Sequence, residues 1–252
     1  MSYPHFERWR DTPTHMPDLS VVVPTYNEEE RILPTLGAFA VAISNMGLDW
    51  ELIVSDDGSK DKTVECVRGL KWQNLRVITH SNTGKGGAVS RGVKASLGKM
   101  VLFADADNST PIEELPKLVE KMKLGYEVVV GSRAAQGAVE NNKSVVRHLI
   151  SGALRLVVQQ VSGIRIRDTQ CGFKLFSRTA ADRLFSLQTM QGFSFDLEIL
   201  YLAHKFRFPT VEVPVAWYDA PGSKVDSIRD TARFLKDMLR LKTLDRQGVY
   251  GK

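Results

Sequence analysis

Short apolar segments that alternate with helical patterns constrain this chain more than any other feature. The apolar segments occupy residues 19–23, 51–54, 75–79, 100–104 and 127–130, and helical spacing fills residues 32–46, 63–70, 86–97 and 112–124 between them. Strands that alternate with helices form parallel sheets, and such sheets are covered by helices on both faces. The pattern therefore predicts an α/β fold with a mostly parallel central sheet.

Polar clusters follow the strands of this predicted sheet at the points where the strands end. These clusters are Asn27, Asp56-Asp57, residues 82–85 and residues 105–107. Because ligands of open α/β sheets bind outside the carboxyl ends of the strands, we expect the clusters to share one site.

The second half of the chain is less regular. Helical spacing recurs at residues 144–163, 179–187, 196–205 and 228–244, a strand is predicted at 211–215, and residues 168–176 form a polar stretch. No repeat or linker divides the chain, so we expect a single domain over residues 19–224. Residues 1–18 hold three prolines and predict an irregular arm, whereas residues 225–252 predict a basic amphipathic helix.

Composition excludes several classes of protein. Two cysteines among 252 residues cannot build a disulfide scaffold, which favours a reducing compartment. The sequence lacks both an apolar run of about 18 residues and a signal peptide, so neither a membrane span nor secretion is predicted. The net charge of +5 allows an anionic partner. A nucleic-acid-binding protein is one alternative, but no interleaving of aromatic and basic residues supports it, and we expect no nucleic acid partner.

Asp105-Ala106-Asp107 places two carboxylates just beyond a buried strand. Two carboxylates together with a diphosphate make an oxygen cage that suits Mg²⁺ or Mn²⁺. A solvated acidic turn is the alternative, but the apolar strand before it delivers the pair to the expected edge. We therefore expect a metal site that involves Asp105 and Asp107.

Two further clusters suit a nucleotide but also have simpler interpretations. Asp56 and Asp57 can accept hydrogen bonds from a base or a ribose, or they belong to a turn before a helix. The segment 83–87 resembles a phosphate-binding turn, yet it matches neither a Walker A motif nor a dinucleotide fingerprint. Asn27 is also a candidate helix cap, with Glu30 completing a capping box.

Taken together and in this order, the clusters resemble the family 2 inverting glycosyltransferases, which have the GT-A fold. The resemblance covers residues 19–246 and rests on Val23-Pro24-Thr25-Tyr26-Asn27-Glu28, Ser55-Asp56-Asp57-Gly58-Ser59, Thr83-Gly84-Lys85-Gly86-Gly87 and Asp105-Ala106-Asp107. The second half is most similar to the dolichyl-phosphate β-glucosyltransferases, a sister group of the dolichol-phosphate mannose synthases. That similarity is carried by residues 168–176, 192–198, 213–217 and 222–225.

The resemblance implies transfer of glucose from UDP-glucose to a dolichyl or other polyprenyl phosphate, with inversion and with Mg²⁺ or Mn²⁺. GDP-mannose or another hexose donor is the alternative within the family. By resemblance, the nucleotide sugar is bound by Pro24, Tyr26, Glu28, Asp56, Asp57, Lys85, Asp105, Ala106 and Asp107, with Asp107 as the direct metal ligand. Position 109, where the mannose synthases carry a glutamine that reaches the metal, is a serine here.

An acceptor phosphate is largely ionised near neutral pH, so we expect no strong general base. Cations must instead hold two anionic groups together. The candidates for binding the acceptor phosphate are Arg133, Gln170, Lys174, Ser223 and Lys224. The residues expected to act in catalysis are Arg133, Lys224, Asp107 and Asp196. Asp196 is expected to orient the sugar hydroxyls or a cation, and its alternative is a helix cap.

A lipid acceptor requires a membrane surface, so we expect a cytoplasmic protein associated peripherally with the membrane. Residues 224–252 carry +4 of the total charge, and basic residues lie beside an apolar stripe of Ile228, Ala232, Leu235 and Leu239. The alternative is a helix whose stripe packs on the domain while the wider face, with Phe234, Met238 and Leu241, retains some area for lipid. Residues 148–161 are a second candidate for lining a prenyl groove.

Two other functions stay open from the residues alone. A transferase with a soluble acceptor would work without lipid. A sugar-nucleotide sensor would keep the roles of Asp57 and Asp107 but release no product.

Overall fold

The computed structural model describes residues 3–140, 163–218 and 227–251. Seven strands form one sheet in the order β3-β2-β1-β4-β7-β5-β8, and β6 pairs with β9 in a small second sheet. The strands are β1 (Leu19–Thr25), β2 (Trp50–Asp56), β3 (Leu75–Thr79), β4 (Met100–Ala104), β5 (Val128–Ser132), β6 (Val139–Glu140), β7 (Phe173–Ser177), β8 (Thr210–Pro214) and β9 (Ala216–Trp217).

Helices cover both faces of the large sheet. They are α1 (Pro4–Asp11), α2 (Ile32–Ser44), α3 (Thr63–Gly69), α4 (Lys85–Ala95), α5 (Leu115–Lys123), α6 (Arg178–Leu187), α7 (Phe195–Lys205) and α8 (Ser227–Arg246), with a 3₁₀ turn at Ile112–Glu114. Successive residues of a strand point to opposite faces, which places Val22 in one apolar core and Val21 and Val23 in the other. The predicted α/β fold, with a mostly parallel sheet in a single domain, is confirmed.

Strand β7 is the strand of the large sheet that the sequence did not predict. It runs antiparallel between β4 and β5, although residues 168–176 read as a polar stretch. Phe173 and Leu175 face one core and Phe176 faces the other, so the strand is buried on both sides. The buried Lys174 interrupts the apolar pattern of this five-residue strand. For that reason the strand could not be recognised from the sequence.

The expectation of an irregular arm at the start of the chain is wrong for residues 4–11, which form α1. The indole of Trp9 stacks on Trp50 with ring centroids 4.1 Å apart and donates a hydrogen bond of 2.8 Å to the Trp50 carbonyl. Pro4 occupies the first turn of the helix, where its missing N–H costs nothing.

Helix α8 confirms the helix predicted near the end of the chain and packs against α7. The hydroxyl of Ser194, which immediately precedes α7, donates to Asp237 at 2.5 Å, and the Tyr201 hydroxyl donates to Asp245 at 2.5 Å. Within the described ranges, no helix is both long and apolar enough to cross a membrane. Ser223 and Lys224 lie outside the described residues, as do residues 148–161 and most of the helix predicted at 144–163.

Candidate active site

The carboxyl ends of β1, β2 and β4 lie side by side, and their loops bring the predicted clusters together. Thr25 and Asp56 are register partners at the ends of β1 and β2, and the β1–β4 ladder places β4 on the other side of β1. The amide of Asp57 continues this edge by donating to the Thr25 carbonyl at 2.9 Å.

Asp56 and Asp57 are almost fully buried and shape the turns around the edge. Asp56 accepts hydrogen bonds from the amides of Gly58 and Ser59, each at 3.0 Å. Asp57 accepts from the amides of Thr83 and Gly84, at 2.9 and 2.7 Å, and from Arg91 at 2.7 Å. Both carboxylates therefore organise backbone in this structure, and nucleotide contact by them stays a prediction.

The loop after β1 differs from the predicted capping box. Asn27 has a left-handed backbone with φ of 55°, and its side-chain oxygen accepts from the Lys60 amide at 2.8 Å. Helix α2 begins at Ile32 and has no side-chain cap, so neither Asn27 nor Glu30 caps it. Asn27 instead ties the loop after β1 to the loop after β2.

The nucleotide-lining candidates of this loop remain accessible. Tyr26 is 43% exposed, and Glu28 forms an ion pair with Arg31. The pKa of Arg31 is raised, first by its hydrogen bond to Glu28 and also by the charges of Asp107 and Asp105. Glu28 and Arg31 therefore lie within the electrostatic reach of the acidic pair.

Lys85 and Asp105 meet at the centre of the edge. Their Nζ and Oδ1 atoms are 2.7 Å apart, and Phe103 lies beneath the ammonium with its ring centroid 5.3 Å from Nζ. Gly172 borders Asp105 closely, because a Cβ at that position would overlap the carboxylate. Its carbonyl also accepts from the Asp105 amide at 3.0 Å.

The donor set at this edge fits a divalent cation that is shared with a diphosphate. Among the described residues, no three His, Cys, Asp or Glu side chains converge on one point. Mg²⁺ is usually held by one or two carboxylates plus phosphate oxygens and waters, and Asp105 and Asp107 supply such a pair. The side-chain oxygen of Asn108, next to Asp107, is buried and has no hydrogen-bond partner within the described residues. That orphaned acceptor beside the pair agrees with a polar ligand shell there.

Lys174 and Asp196 form a buried ion pair below the edge. The Lys174 ammonium donates to Asp196 at 2.5 Å and to the Cys171 carbonyl at 2.6 Å, and its side chain is 1% exposed. The Lys174 side chain therefore contacts protein groups in place of an acceptor phosphate, which corrects the expectation of direct phosphate binding. Asp196 lies in the first turn of α7, but it is not the cap, which is Ser194.

Arg133 and Asp168 form a second pair at the end of β5. Arg133 donates two side-chain hydrogen bonds to Asp168, at 2.7 and 2.9 Å, and its guanidinium carbon lies 5.5 Å from the Trp217 ring centroid. Although burial opposes it, the hydrogen bonds and charge of Arg133 lower the pKa of Asp168 to about 2. Gln170 is exposed two residues further on.

Comparison with known proteins shows the family to which this chain belongs. The sequence profile described as "Glycosyl transferase family 2" matches residues 20–185, about two thirds of the chain. The chain belongs to glycosyltransferase family 2. It is therefore a glycosyltransferase, and the acidic pair and the strand-end clusters lie inside the matched region.

The curated relatives of this family 2 glycosyltransferase include several dolichyl-phosphate beta-glucosyltransferases. It is 37% identical over 251 residues to a dolichyl-phosphate beta-glucosyltransferase from Dictyostelium discoideum, covering 92% of this chain and 76% of that protein. The proteins of the same name from Saccharomyces cerevisiae and Homo sapiens are 35% and 36% identical, with the same two coverages.

Solved structures show that the family 2 chain has the GT-A fold. Glucosyl-3-phosphoglycerate synthase from Mycobacterium tuberculosis, in complex with Mn²⁺, UDP and glucosyl-3-phosphoglycerate, superposes with a TM-score of 0.66. The match covers 98% of this chain and 85% of that one at 21% identity. A complex of the same enzyme with Mn²⁺, UDP-glucose and glycerol 3-phosphate gives 0.67 at 22% identity.

Several residues that shape the site of this glycosyltransferase escaped the sequence reasoning. Arg91 holds Asp57 from the second turn of α4, and Gly172 makes room for Asp105. Both act across long sequence separations, and helical spacing alone assigns Arg91 to a solvated surface. The glycine within the segment 168–176 was the available signal, since a glycine next to a strand often marks a close approach.

Proposed function

We propose that this glycosyltransferase transfers glucose from UDP-glucose to a dolichyl or other polyprenyl phosphate and inverts the anomeric configuration. The observation that carries the proposal is the similarity to dolichyl-phosphate beta-glucosyltransferases over 92% of the chain. The strand-end cluster around Lys85, Asp105 and Asp107 supports it with a site suited to a nucleotide diphosphate.

In this proposal the donor lies along the carboxyl ends of β1, β2 and β4. Pro24, Tyr26 and Glu28 line the nucleotide, and the turn anchored by Asp57 places Lys85 at the first position of α4. Lys85 then exchanges its Asp105 partner for the negatively charged donor. Asp56 and Ala106 shape the walls, since both are buried.

Asp105 and Asp107 would hold Mg²⁺ or Mn²⁺ against the donor diphosphate. Such an ion, when bound, neutralises the charge that develops on the departing UDP. Asp107 is a suitable direct ligand because the only described hydrogen bond of its carboxylate comes from the Ser109 amide at 3.0 Å. Asp105 is shared with Lys85.

The acceptor phosphate attacks the anomeric carbon from the side opposite the diphosphate. The monoester carries close to two negative charges at neutral pH, so deprotonation by a protein base is not needed. Asp196 therefore takes no part as a base: Lys174 neutralises it inside the protein. Arg133, with Gln170, Ser223 and Lys224, is proposed to hold the acceptor phosphate.

A membrane surface would present the lipid acceptor, and we propose that the protein is cytoplasmic and binds that surface through α8. Lys236, Leu239 and Arg240 are exposed on one face of the helix, and Leu239 is 63% exposed. Basic residues beside an apolar face are typical of a helix that lies in a membrane interface.

The experiment that tests the function measures transfer of label from UDP-glucose or GDP-mannose to polyprenyl phosphate, with Mg²⁺ or Mn²⁺ present. We expect label in the lipid phase from UDP-glucose alone, and we expect Asp107→Ala to lower the transfer rate at least a hundredfold. Asp49→Ala is the control and should not lower the rate, because Asp49 is an exposed aspartate in the loop that precedes β2. Label from GDP-mannose alone would show that the donor is GDP-mannose and not UDP-glucose. Transfer that needs no lipid would show that the acceptor is soluble and is not a polyprenyl phosphate.

A further inference from the structure

Tyr250 lies four residues beyond α8, and its placement is unusual for a residue outside the secondary structure. Its side chain is completely buried in the apolar core, among residues such as Met190, Met238 and Leu241. Burial, and then the nearby Glu198 carboxylate, raise the pKa of its hydroxyl. The phenol is therefore neutral and acts as a hydrogen-bond donor.

The partner of this donor is Glu198, which is also completely buried. The Tyr250 hydroxyl donates to Glu198 Oε1 at 2.6 Å. Glu198 further accepts from the amides of Thr189 and Met190, at 3.0 and 2.8 Å, and from the Thr189 hydroxyl at 2.6 Å. A buried carboxylate with this many donors fixes the loop between α6 and α7, because each lost donor would leave its charge poorly solvated.

The same loop supports the glycine turn that begins α4. The Gln191 carbonyl accepts from the Gly87 amide at 3.0 Å, and Gln188 donates from its side chain to the Gly86 carbonyl at 2.9 Å. The contact is close, since a Cβ at Gly84 would lie 2.7 Å from the Gln191 carbonyl oxygen. Gly84 also has φ of 105°, a conformation that other residues rarely adopt.

We propose that Tyr250 is a positioning residue for the donor site. Through Glu198 its hydroxyl fixes the loop 188–191, the loop fixes the turn 84–87, and the turn holds Lys85 against Asp105. The proposal rests on the proposed function for its kinetic consequence, because it assigns Lys85 to donor binding. Its structural consequence is independent of any substrate.

The test compares Tyr250→Phe with Tyr201→Phe. Tyr201 is a matched control because its buried ring also sends a hydroxyl to a carboxylate, Asp245, but that contact joins α7 to α8 and does not touch the loop 188–191. Thr189→Val removes the hydroxyl that donates to the same Glu198 oxygen at 2.6 Å and lies 3.4 Å from the Tyr250 hydroxyl, and it serves as the second test variant if Tyr250→Phe does not fold.

We expect Tyr250→Phe and Thr189→Val to raise KM for UDP-glucose about three- to tenfold while kcat changes less than twofold, and Tyr201→Phe to leave KM unchanged. Amide hydrogen exchange in residues 84–88 should accelerate at least threefold in the first two variants only, with no substrate present. Equal KM and equal exchange in all three variants would overturn the proposal. If Tyr250→Phe and Thr189→Val exchange faster but the wild-type protein has no transferase activity, the positioning role of Tyr250 is retained and the proposed function is refuted.

Discussion

At the scale of single residues, the site depends on a charge balance around Asp105. Lys85 neutralises its carboxylate, and the pKa of Lys85 is raised because the attraction of Asp105, Asp196 and Asp107 outweighs the effect of burial. A carboxylate without a partner would be poorly solvated in this half-buried position. Lys85 therefore supplies the partner that Asp105 needs.

Gly172 sets the position of that carboxylate, and Gly172→Ala should displace it. The added methyl would overlap Asp105, so we expect donor turnover to fall at least tenfold while the fold persists, because the displaced atoms are the end of a side chain. Steady-state kinetics and a thermal melt measure the two effects. Gly37→Ala is the control, since a Cβ at Gly37 meets nothing within 4 Å. Replacing this helical glycine by alanine should raise the free energy of unfolding by roughly 0.5–1 kcal/mol. Full activity in Gly172→Ala would contradict the role given to Asp105.

At the scale of elements, the described side chains of α8 are divided between the core and the surface. Met238 and Leu241, members of the face expected to retain area for lipid, are buried. Leu239, the last residue of the apolar stripe that packs on the domain in the alternative interpretation, is exposed. The anchoring of Asp237 and Asp245 to α7 sets this rotation, and a helical pattern alone cannot reveal it.

Charge reversal on α8 tests its proposed membrane contact. Arg233→Glu, Lys236→Glu and Arg240→Glu in one variant should lower binding to anionic liposomes at least tenfold, because each basic residue near such a surface contributes about 1 kcal/mol. Cosedimentation measures binding, and circular dichroism checks the fold. Reversal of Lys117, Lys121 and Lys123 on α5 provides a control of equal charge. Unchanged sedimentation of the α8 variant would refute the membrane contact.

At the scale of the whole molecule, the ion pair of Arg133 and Asp168 joins the end of β5 to the segment that leads into β7. Asp168 also accepts from the Arg133 amide at 3.0 Å, and its own amide donates to Glu212 of β8 at 3.0 Å. This connection links β5 and β8 to the segment that leads into the antiparallel strand β7. It should therefore contribute to the stability of the entire domain.

The pH dependence of unfolding tests that contribution. The pKa of Asp168 is lowered from 3.8 to about 2, so its stabilisation is present above pH 4 and is lost as the pH falls toward 2. We expect the difference in free energy of unfolding between wild type and Asp168→Asn to shrink by about 2 kcal/mol over that range. Urea titrations from pH 6 to 2.5 measure it. Asp182→Asn, which breaks an exposed ion pair, should change stability by less than about 1 kcal/mol at every pH. A constant difference for Asp168→Asn would rule out the linkage.

The sequence by itself determined the strand–helix alternation, the sheet edge that carries the site, and the family. These features are local, because the apolar residues of a strand and the polar residues that follow it lie within a few positions of one another in the sequence. The acidic pair and the glycine turn followed from the same local pattern. Their roles in donor binding stay predictions.

Only the tertiary structure decided the direction of β7, the burial of Lys174 against Asp196, and the rotation of α8. It also decided that the Tyr250 hydroxyl meets Glu198, a partner 52 residues away. Each of these depends on contacts between residues distant in the chain, whose desolvation and pairing are settled only when the core closes. A lysine such as Lys174 is usually exposed, so its presence in an apolar segment suggests a surface position. The buried carboxylate that neutralises it, Asp196, belongs to α7 and is not visible in the local sequence.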